Sequence, residues 1–209
     1  MTTISRPEGE RDPFFPLGFL LAALLAAALA ACTPEGPKFR STDVTGADFG
    51  RTLALNGHDG KPHTLAEFGG KAVVVFFGFT HCPDVCPTTL ADMAGVLKKL
   101  GGDAERVQVL FVTVDPERDT REVLAQYVPA FDKRFLGLYG DAEATQRTAK
   151  EFRIFFARSP GAAPGAYTMD HSAQSFVYDP RGRLRLIVRP DRIALDLAED
   201  LRTLLKSSD

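Results

Sequence analysis

Residues 73–79 read Val-Val-Val-Phe-Phe-Gly-Phe, seven positions without a charge and almost all β-branched or aromatic. A run of that length and composition predicts a strand buried on both faces. Directly after it, Leu90, Met93, Ala94, Leu97 and Leu100 recur at spacings of three and four, which predicts an amphipathic helix. Residues 107–114 are a second buried-type strand. It ends in Asp-Pro-Glu-Arg-Asp-Thr (115–120) and is followed by a helical stripe on Val123, Leu124, Tyr127 and Val128, with Asp119 or Thr120 as cap. A short strand at 135–139 and a helix at 141–152 come next, then a Gly, Ala and Pro-rich stretch, 159–165, that reads as an exposed loop. Strands at 173–178 and 184–188 flank the turn composition Asp179-Pro180-Arg181-Gly182, and a last helix begins near Asp191 with Ala194, Leu197, Ala198, Leu201, Leu204 and Leu205 on one face. Ahead of all this, 51–56 and 61–65 flank Gly57-His58-Asp59-Gly60 and predict an N-terminal β-hairpin. Strands alternating with helices and closed by a hairpin and a helix define a three-layer α/β domain with a central mixed β-sheet, residues 49–209. There is no internal repeat and no second domain.

The N-terminus has a different pattern. Residues 14–31 are apolar or small, with Arg6 and Arg11 upstream, so 1–32 reads as a signal peptide or membrane anchor, although Glu8, Glu10 and Asp12 dilute the positive segment. The run ends in Leu29-Ala30-Ala31-Cys32, an ending similar to a bacterial lipoprotein signal, in which Cys32 is lipidated and becomes the mature N-terminus. An uncleaved N-terminal helix and ordinary cleavage after an Ala-x-Ala site are the alternatives. Each puts the rest of the chain on the extracytoplasmic (periplasmic) face of a bacterial membrane. Residues 33–48, polar and containing Pro34, Gly36, Pro37 and Gly46, predict a flexible tether. A net charge of -2 gives no basic footprint for nucleic acid. Of three cysteines, Cys32 belongs to the anchor, which leaves Cys82 and Cys86 as a functional pair.

That pair lies between the first buried strand and its helix. Pro87 fits a first helical turn, which makes Cys86 the expected cap and directs free backbone N–H groups and the positive dipole end at its sulfur. Such an environment favours thiolate, the form that binds metals and attacks disulfides. Two cysteines four positions apart can converge on one metal or on each other. A third donor, His171 in Tyr167-Thr168-Met169-Asp170-His171-Ser172, precedes the closing hairpin, and loops at strand ends are where ligands gather in α/β sheets. Two thiolates and an imidazole suit copper(I) and match thiolate-rich copper(II) sites, whereas structural zinc would need a fourth ligand.

Three segments together resemble the Sco/SenC family. They are Gly78-Phe79-Thr80-His81-Cys82-Pro83-Asp84-Val85-Cys86-Pro87-Thr88-Thr89-Leu90, then Val114-Asp115-Pro116-Glu117-Arg118-Asp119-Thr120, then Asp170-His171-Ser172. They occur in the family's order, and the resemblance covers about residues 49–205. It implies a thioredoxin-like fold and an extracytoplasmic, membrane-tethered copper chaperone that helps assemble the dinuclear copper centre of cytochrome c oxidase. It also implies Cys82, Cys86 and His171 as ligands of copper(I), copper(II) or both. The implied partners are the copper-accepting oxidase subunit, a periplasmic copper donor and a thiol reductant. A metallochaperone need not be an enzyme; the competing function is a thiol-disulfide reductase acting through Cys82 and Cys86 on cysteines of an extracytoplasmic partner, which could be the same oxidase subunit. Peroxidase chemistry fits poorly, because neither cysteine has the Pro-x-x-x-Thr-x-x-Cys frame.

The other conspicuous residues divide less sharply. His81 is expected to shape its loop rather than bind metal, and His58 and His63 to be solvated. Asp170 reads either as an orienting partner of His171 or as a turn residue. Asp115 reads either as an electrostatic influence on the site or as a loop cap beside Arg118 and Asp119 as surface charges. Met93 belongs to the core stripe, and Met169 is a soft donor in principle.

Overall fold

The computed structural model describes residues 36–161 and 164–207. The segment 1–32, with Cys32, therefore lies outside the described residues, among which no helix is long and apolar enough to cross a membrane. Strand β4 (Ala72–Gly78) pairs in parallel with β5 (Val107–Thr113), and β5 in parallel with β6 (Leu136–Tyr139). On the other side β4 pairs antiparallel with β9 (Ser175–Tyr178), and β9 with β10 (Leu184–Val188). The hairpin β2 (Ala54–Gly57) and β3 (Pro62–Thr64) continues the sheet beyond β6. With the two-residue β1 (Thr42–Asp43) on the far edge, the order is β1-β10-β9-β4-β5-β6-β2-β3, the expected mixed sheet.

Four α-helices cover it: α1 (Val85–Leu100), α2 (Arg121–Tyr127), α3 (Ala142–Glu151) and α4 (Ile193–Lys206). Helix α2 starts at the Thr120 cap, whose Oγ1 accepts the Val123 N–H at 3.4 Å, and α3 at Asp141, which accepts the Ala144 N–H at 2.7 Å. Successive residues of a strand face opposite layers, and the adjacent phenylalanines of β4 show it. Phe76 meets Phe111, which in turn meets Tyr127, on the face covered by α1 and α2. Phe77 meets Phe152 and Phe176 on the face covered by α3. Every residue of β4 is buried, as a central strand covered on both faces requires.

Three expectations need correction. The tether, 33–48, is docked from Phe39 onward: Thr42 and Asp43 pair with β10, the Arg40 and Ser41 N–H groups donate to the Asp200 carboxylate, and Arg185 lies over the Phe39 ring. Main-chain pairing to an exposed edge needs no hydrophobic periodicity, so composition did not reveal it. His63 is buried rather than solvated, with its two ring nitrogens 2.6 Å from Glu67 Oε1 and 2.9 Å from Asp59 Oδ1. His58 is half-buried, and its Nδ1 accepts the Gly137 N–H at 2.9 Å. Finally, residues 159–160 are not loop. β7 (Phe156–Pro160) pairs antiparallel with β8 (Tyr167–His171) in a two-stranded ribbon separate from the main sheet.

Candidate metal and dithiol site

The cysteine loop leaves β4 at Gly78 and enters α1 at Val85. Asp84, not Cys86, is the N-cap residue, so Cys86 is the second residue of the helix and Pro87 the third. The first three N–H groups of a helix have no intrahelical partner, so proline is tolerated throughout that turn and marks the start only to within it. The shift changes which sulfur the helix start serves. The Cys86 N–H donates to Cys82 Sγ at 3.4 Å, so Cys82 is the sulfur that the helix start serves.

Cys86 is fully buried and Cys82 half-buried, and neither is in a disulfide. The Cys86 sulfur sits against the end of β4. A Cβ on Gly78 would come within 3.0 Å of it and 2.8 Å of Phe111 Cε2, so this position has no room for a side chain. The pair shares a proton unequally. A hydrogen bond from the Cys86 thiol holds the Cys82 thiol well below the ordinary thiol range against the cost of burial, with the Asp84 and Cys86 N–H groups assisting. Cys86 is pushed far above the ordinary thiol range, because it gives that hydrogen bond and because it is buried. Cys82 is thus the thiolate of the resting pair and Cys86 the reserve thiol.

His171 closes the third side, at the end of β8. Its Nδ1–H donates to the Ser172 carbonyl at 2.9 Å, which fixes the tautomer and leaves the Nε2 lone pair facing Cys86 Sγ at 3.8 Å. The Phe79 ring packs edge-on to the imidazole, 5.8 Å between centroids. A shallow depression of about 350 Å³ opens beside the donors, lined by Phe79, Cys82, Val85, Met169 and His171. The donors are near one another without forming a closed cage: among the described residues no cluster of three or more His, Cys, Asp or Glu is already arranged to hold an ion.

The remaining candidates fall into place around this trio. His81 is over half exposed and 3.1 Å from its neighbour Thr80 Oγ1, turned away from the sulfurs. Met93 is in the core, and Met169 packs partly against it. Asp170 is neither a turn residue nor a partner of His171; it is an exposed strand residue bonded to Ser159 Oγ.

Asp115, Arg118 and Asp119 matter more than the sequence suggested. Asp119 is completely buried, not a surface charge, and accepts from the Thr80 N–H at 3.0 Å, Thr80 Oγ1 at 2.5 Å and Thr113 Oγ1 at 2.6 Å. It ties the cysteine loop to the end of β5. Burial pushes its carboxyl up, and the bonds from Thr113 and Thr80 oppose that shift. Asp115, also buried, accepts from Tyr167 OH at 3.0 Å and from Arg118 Nε. The only sequence signal for these roles was position, at the carboxyl end of a central parallel strand.

The fold and site define a thioredoxin-like domain with a Cys-x-x-x-Cys pair at the start of its first helix and a histidine facing it from a separate ribbon. The SCO1/SenC family model matches residues 41–206, and the chain belongs to that family. Among curated relatives, the mitochondrial SCO2 homolog of Mus musculus is 36% identical over 211 residues, which cover 93% of this chain and 81% of that one. The chain spans only 50–55% of the SCO2 homologs of Bos taurus, Danio rerio and Homo sapiens. Among solved structures, apo Sco1 from Thermus thermophilus is 41% identical with a TM-score of 0.70, covering 83% of this chain and 98% of its own. ScoI from Bradyrhizobium japonicum, solved with copper bound, is 36% identical with a TM-score of 0.66, covering 76% and 99%.

Proposed function

We propose that this chain is a copper chaperone: Cys82, Cys86 and His171 hold one copper ion as cargo and release it to the copper-accepting subunit of cytochrome c oxidase. The observation that carries the proposal is the Nε2 lone pair of His171 aimed at the cysteine pair across 85 residues of sequence. The donor set suits the metal, since two sulfurs and one neutral imidazole form a soft, low-coordinate group. A copper-bound relative with 36% identity supports the same reading. Loading begins at Cys82, the more accessible of the two sulfurs. Cys86 then gives up its proton, so binding releases a proton and is favoured as pH rises. Release is the reverse, by exchange of these ligands for thiols of the acceptor. We further place the domain on the extracytoplasmic side of a bacterial membrane, held there through Cys32 or an uncleaved N-terminal helix. Confinement near the membrane raises the effective concentration of a membrane-bound acceptor.

The polarised pair supports a second reading, reduction of a partner disulfide. The Cys82 thiolate attacks one sulfur of the disulfide and expels the other as a thiolate, which takes up a proton. Cys86, deprotonated, attacks Cys82 Sγ, leaving a Cys82–Cys86 disulfide and a fully reduced partner. The two electrons come from the pair itself, which as a disulfide can no longer bind copper.

Copper titration of the reduced full-length protein beside His171→Ala separates the readings. We expect one copper per chain, a sulfur-to-copper(II) charge-transfer band, and weakening on the order of 10-fold or more in the variant. Copper binding unaltered by His171→Ala would remove His171 from the site. Fast disulfide reduction by the copper-free variant would favour the reductase.

A further inference from the structure

The β7–β8 ribbon pairs only with itself, so the position of His171 depends on what fastens the ribbon to the domain. Tyr167, Met169 and His171 share one face of β8, with Tyr167 about 13 Å from His171 along the strand. Between them the ribbon is backed by a cavity of about 230 Å³, lined by Asp115, Thr145, Phe156 and Met169 among others. Phe156 and Met169 pack against the core and Phe79 packs on His171, and the polar fastening is at Tyr167. Its ring is sandwiched between two guanidinium groups, Arg118 at 3.6 Å and Arg158 at 4.0 Å from the centroid. Its hydroxyl donates to Asp115 Oδ1 at 3.0 Å, and its carbonyl accepts from Arg118 Nη1 at 2.9 Å. Arg118 in turn donates through Nε to Asp115, and Arg158 Nη2 donates to Glu117 Oε2 at 2.6 Å.

The domain-side partners of Tyr167 and Arg158 come from one short segment, residues 115–118, and the next residue, Asp119, grips the cysteine loop through Thr80. One five-residue loop therefore holds both halves of the site. We propose that loop 115–119 is a positioning bracket: Asp119 fixes the cysteine loop, while Asp115 and Arg118, closing on Tyr167, set the reach of His171 toward Cys86. The bracket touches neither copper nor the reacting sulfurs and acts through the placement of their ligands. This inference rests on the copper reading for its consequence but not for its geometry.

Two readouts test it, one with the metal and one without. Tyr167→Ala in the full-length protein should weaken copper(II) binding by about 10-fold, the scale at which outer-shell partners of metal ligands act. Tyr167→Phe, which keeps the ring between the guanidiniums and loses only the bond to Asp115, should weaken it less. In a His171→Ala background Tyr167→Ala should change affinity by less than about twofold, because no histidine remains to be placed. An equal loss in both backgrounds would overturn the proposal. Without metal, amide hydrogen exchange of the ribbon should accelerate at least about 10-fold in Tyr167→Ala while the β4 amides keep their protection. If β4 also loses protection, the comparison is made with Tyr167→Phe, which must then loosen the ribbon selectively. No selective loosening in either variant sinks the bracket. Should His171→Ala leave copper affinity unaltered while the ribbon still loosens, the copper reading falls and the bracket stands.

Discussion

The two halves of the site are built from unlike material. The cysteine half occupies 29 consecutive positions, β4 through α1, on a strand whose side chains are at most 2% exposed. The histidine half is a ribbon outside the main sheet whose residues are all half-buried or exposed, held by charged groups from a distant loop. Core packing gives the sulfurs a fixed seat, whereas a ribbon fastened at a few points can move as a unit. On the copper reading proposed above, that division gives two donors a fixed seat and the third a mobile one. The largest effect should expose the contrast directly. Phe76→Ala, under the cysteine loop and against Phe111, should cost about 3–5 kcal/mol in equilibrium unfolding. Phe156→Ala, in the ribbon and only partly buried, should cost about 1 kcal/mol. Equal losses would mean that the ribbon is as much a part of the core as β4, and the comparison would be broken.

The same contrast governs how much could be read from the residues. Wherever structure follows from local pattern, the elements came out within a residue or two: β4 from its unbroken apolar run, α4 from its leucine stripe, α3 behind Asp141. Their order implied a three-layer α/β domain with a mixed sheet, and the family resemblance implied the thioredoxin-like fold. The ribbon escaped because β7 carries no clean alternation: Phe156-Ala157-Arg158-Ser159-Pro160 contains a cation and a proline, and none of its residues is buried. Asp119 and Arg118 escaped for a related reason. Charged residues are usually exposed, and partners 39 and 49 residues away, Thr80 and Tyr167, complete the bonding that lets Asp119 be buried and Arg118 half-buried. The three proposed ligands were legible because their chemistry is rare. The groups that place them were not, because theirs is common.

Gly78 lies at the junction between core and site, so a substitution there sharpens the comparison by loading both at once. A methyl group at this position would meet Phe111 at 2.8 Å and Cys86 Sγ at 3.0 Å, neither the loose end of a flexible chain. Gly78→Ala should cost about 1–3 kcal/mol through overpacking and displace the Cys86 sulfur from its seat. Copper affinity should fall with it, and because the displaced donor is a sulfur, the charge-transfer band should shift. Tyr167→Ala, which moves a nitrogen donor, should leave the cysteine loop signals of the metal-free protein in place. Matching spectra of the metal-free Gly78→Ala and parent proteins in the cysteine loop would show that the seat is softer than a core position.

The N-terminal hairpin offers the smallest and most conditional effect, and it asks whether charge-held strand pairs elsewhere in the molecule share the ribbon's looseness. His63 lies between Asp59 and Glu67 on the edge strand β3. Burial works against its charge, but the hydrogen bonds to the two carboxylates prevail and raise its pKa above the ordinary value. A histidine whose folded pKa is raised binds its proton more tightly in the native state. Its contribution is therefore complete below the unfolded value, about 6.5, and is lost as pH rises through the raised folded value. Amides of β2 and β3, corrected for intrinsic exchange, should lose protection between pH 6 and pH 8, and His63→Gln should abolish that dependence. Because the hairpin is also paired to β6 through Asn56 and Gly57, the loss should stay local and leave β4 unaffected. A pH dependence that survives in His63→Gln would assign the effect to other groups. One that spread to β4 would mean that the hairpin, unlike the ribbon, unfolds only with the core.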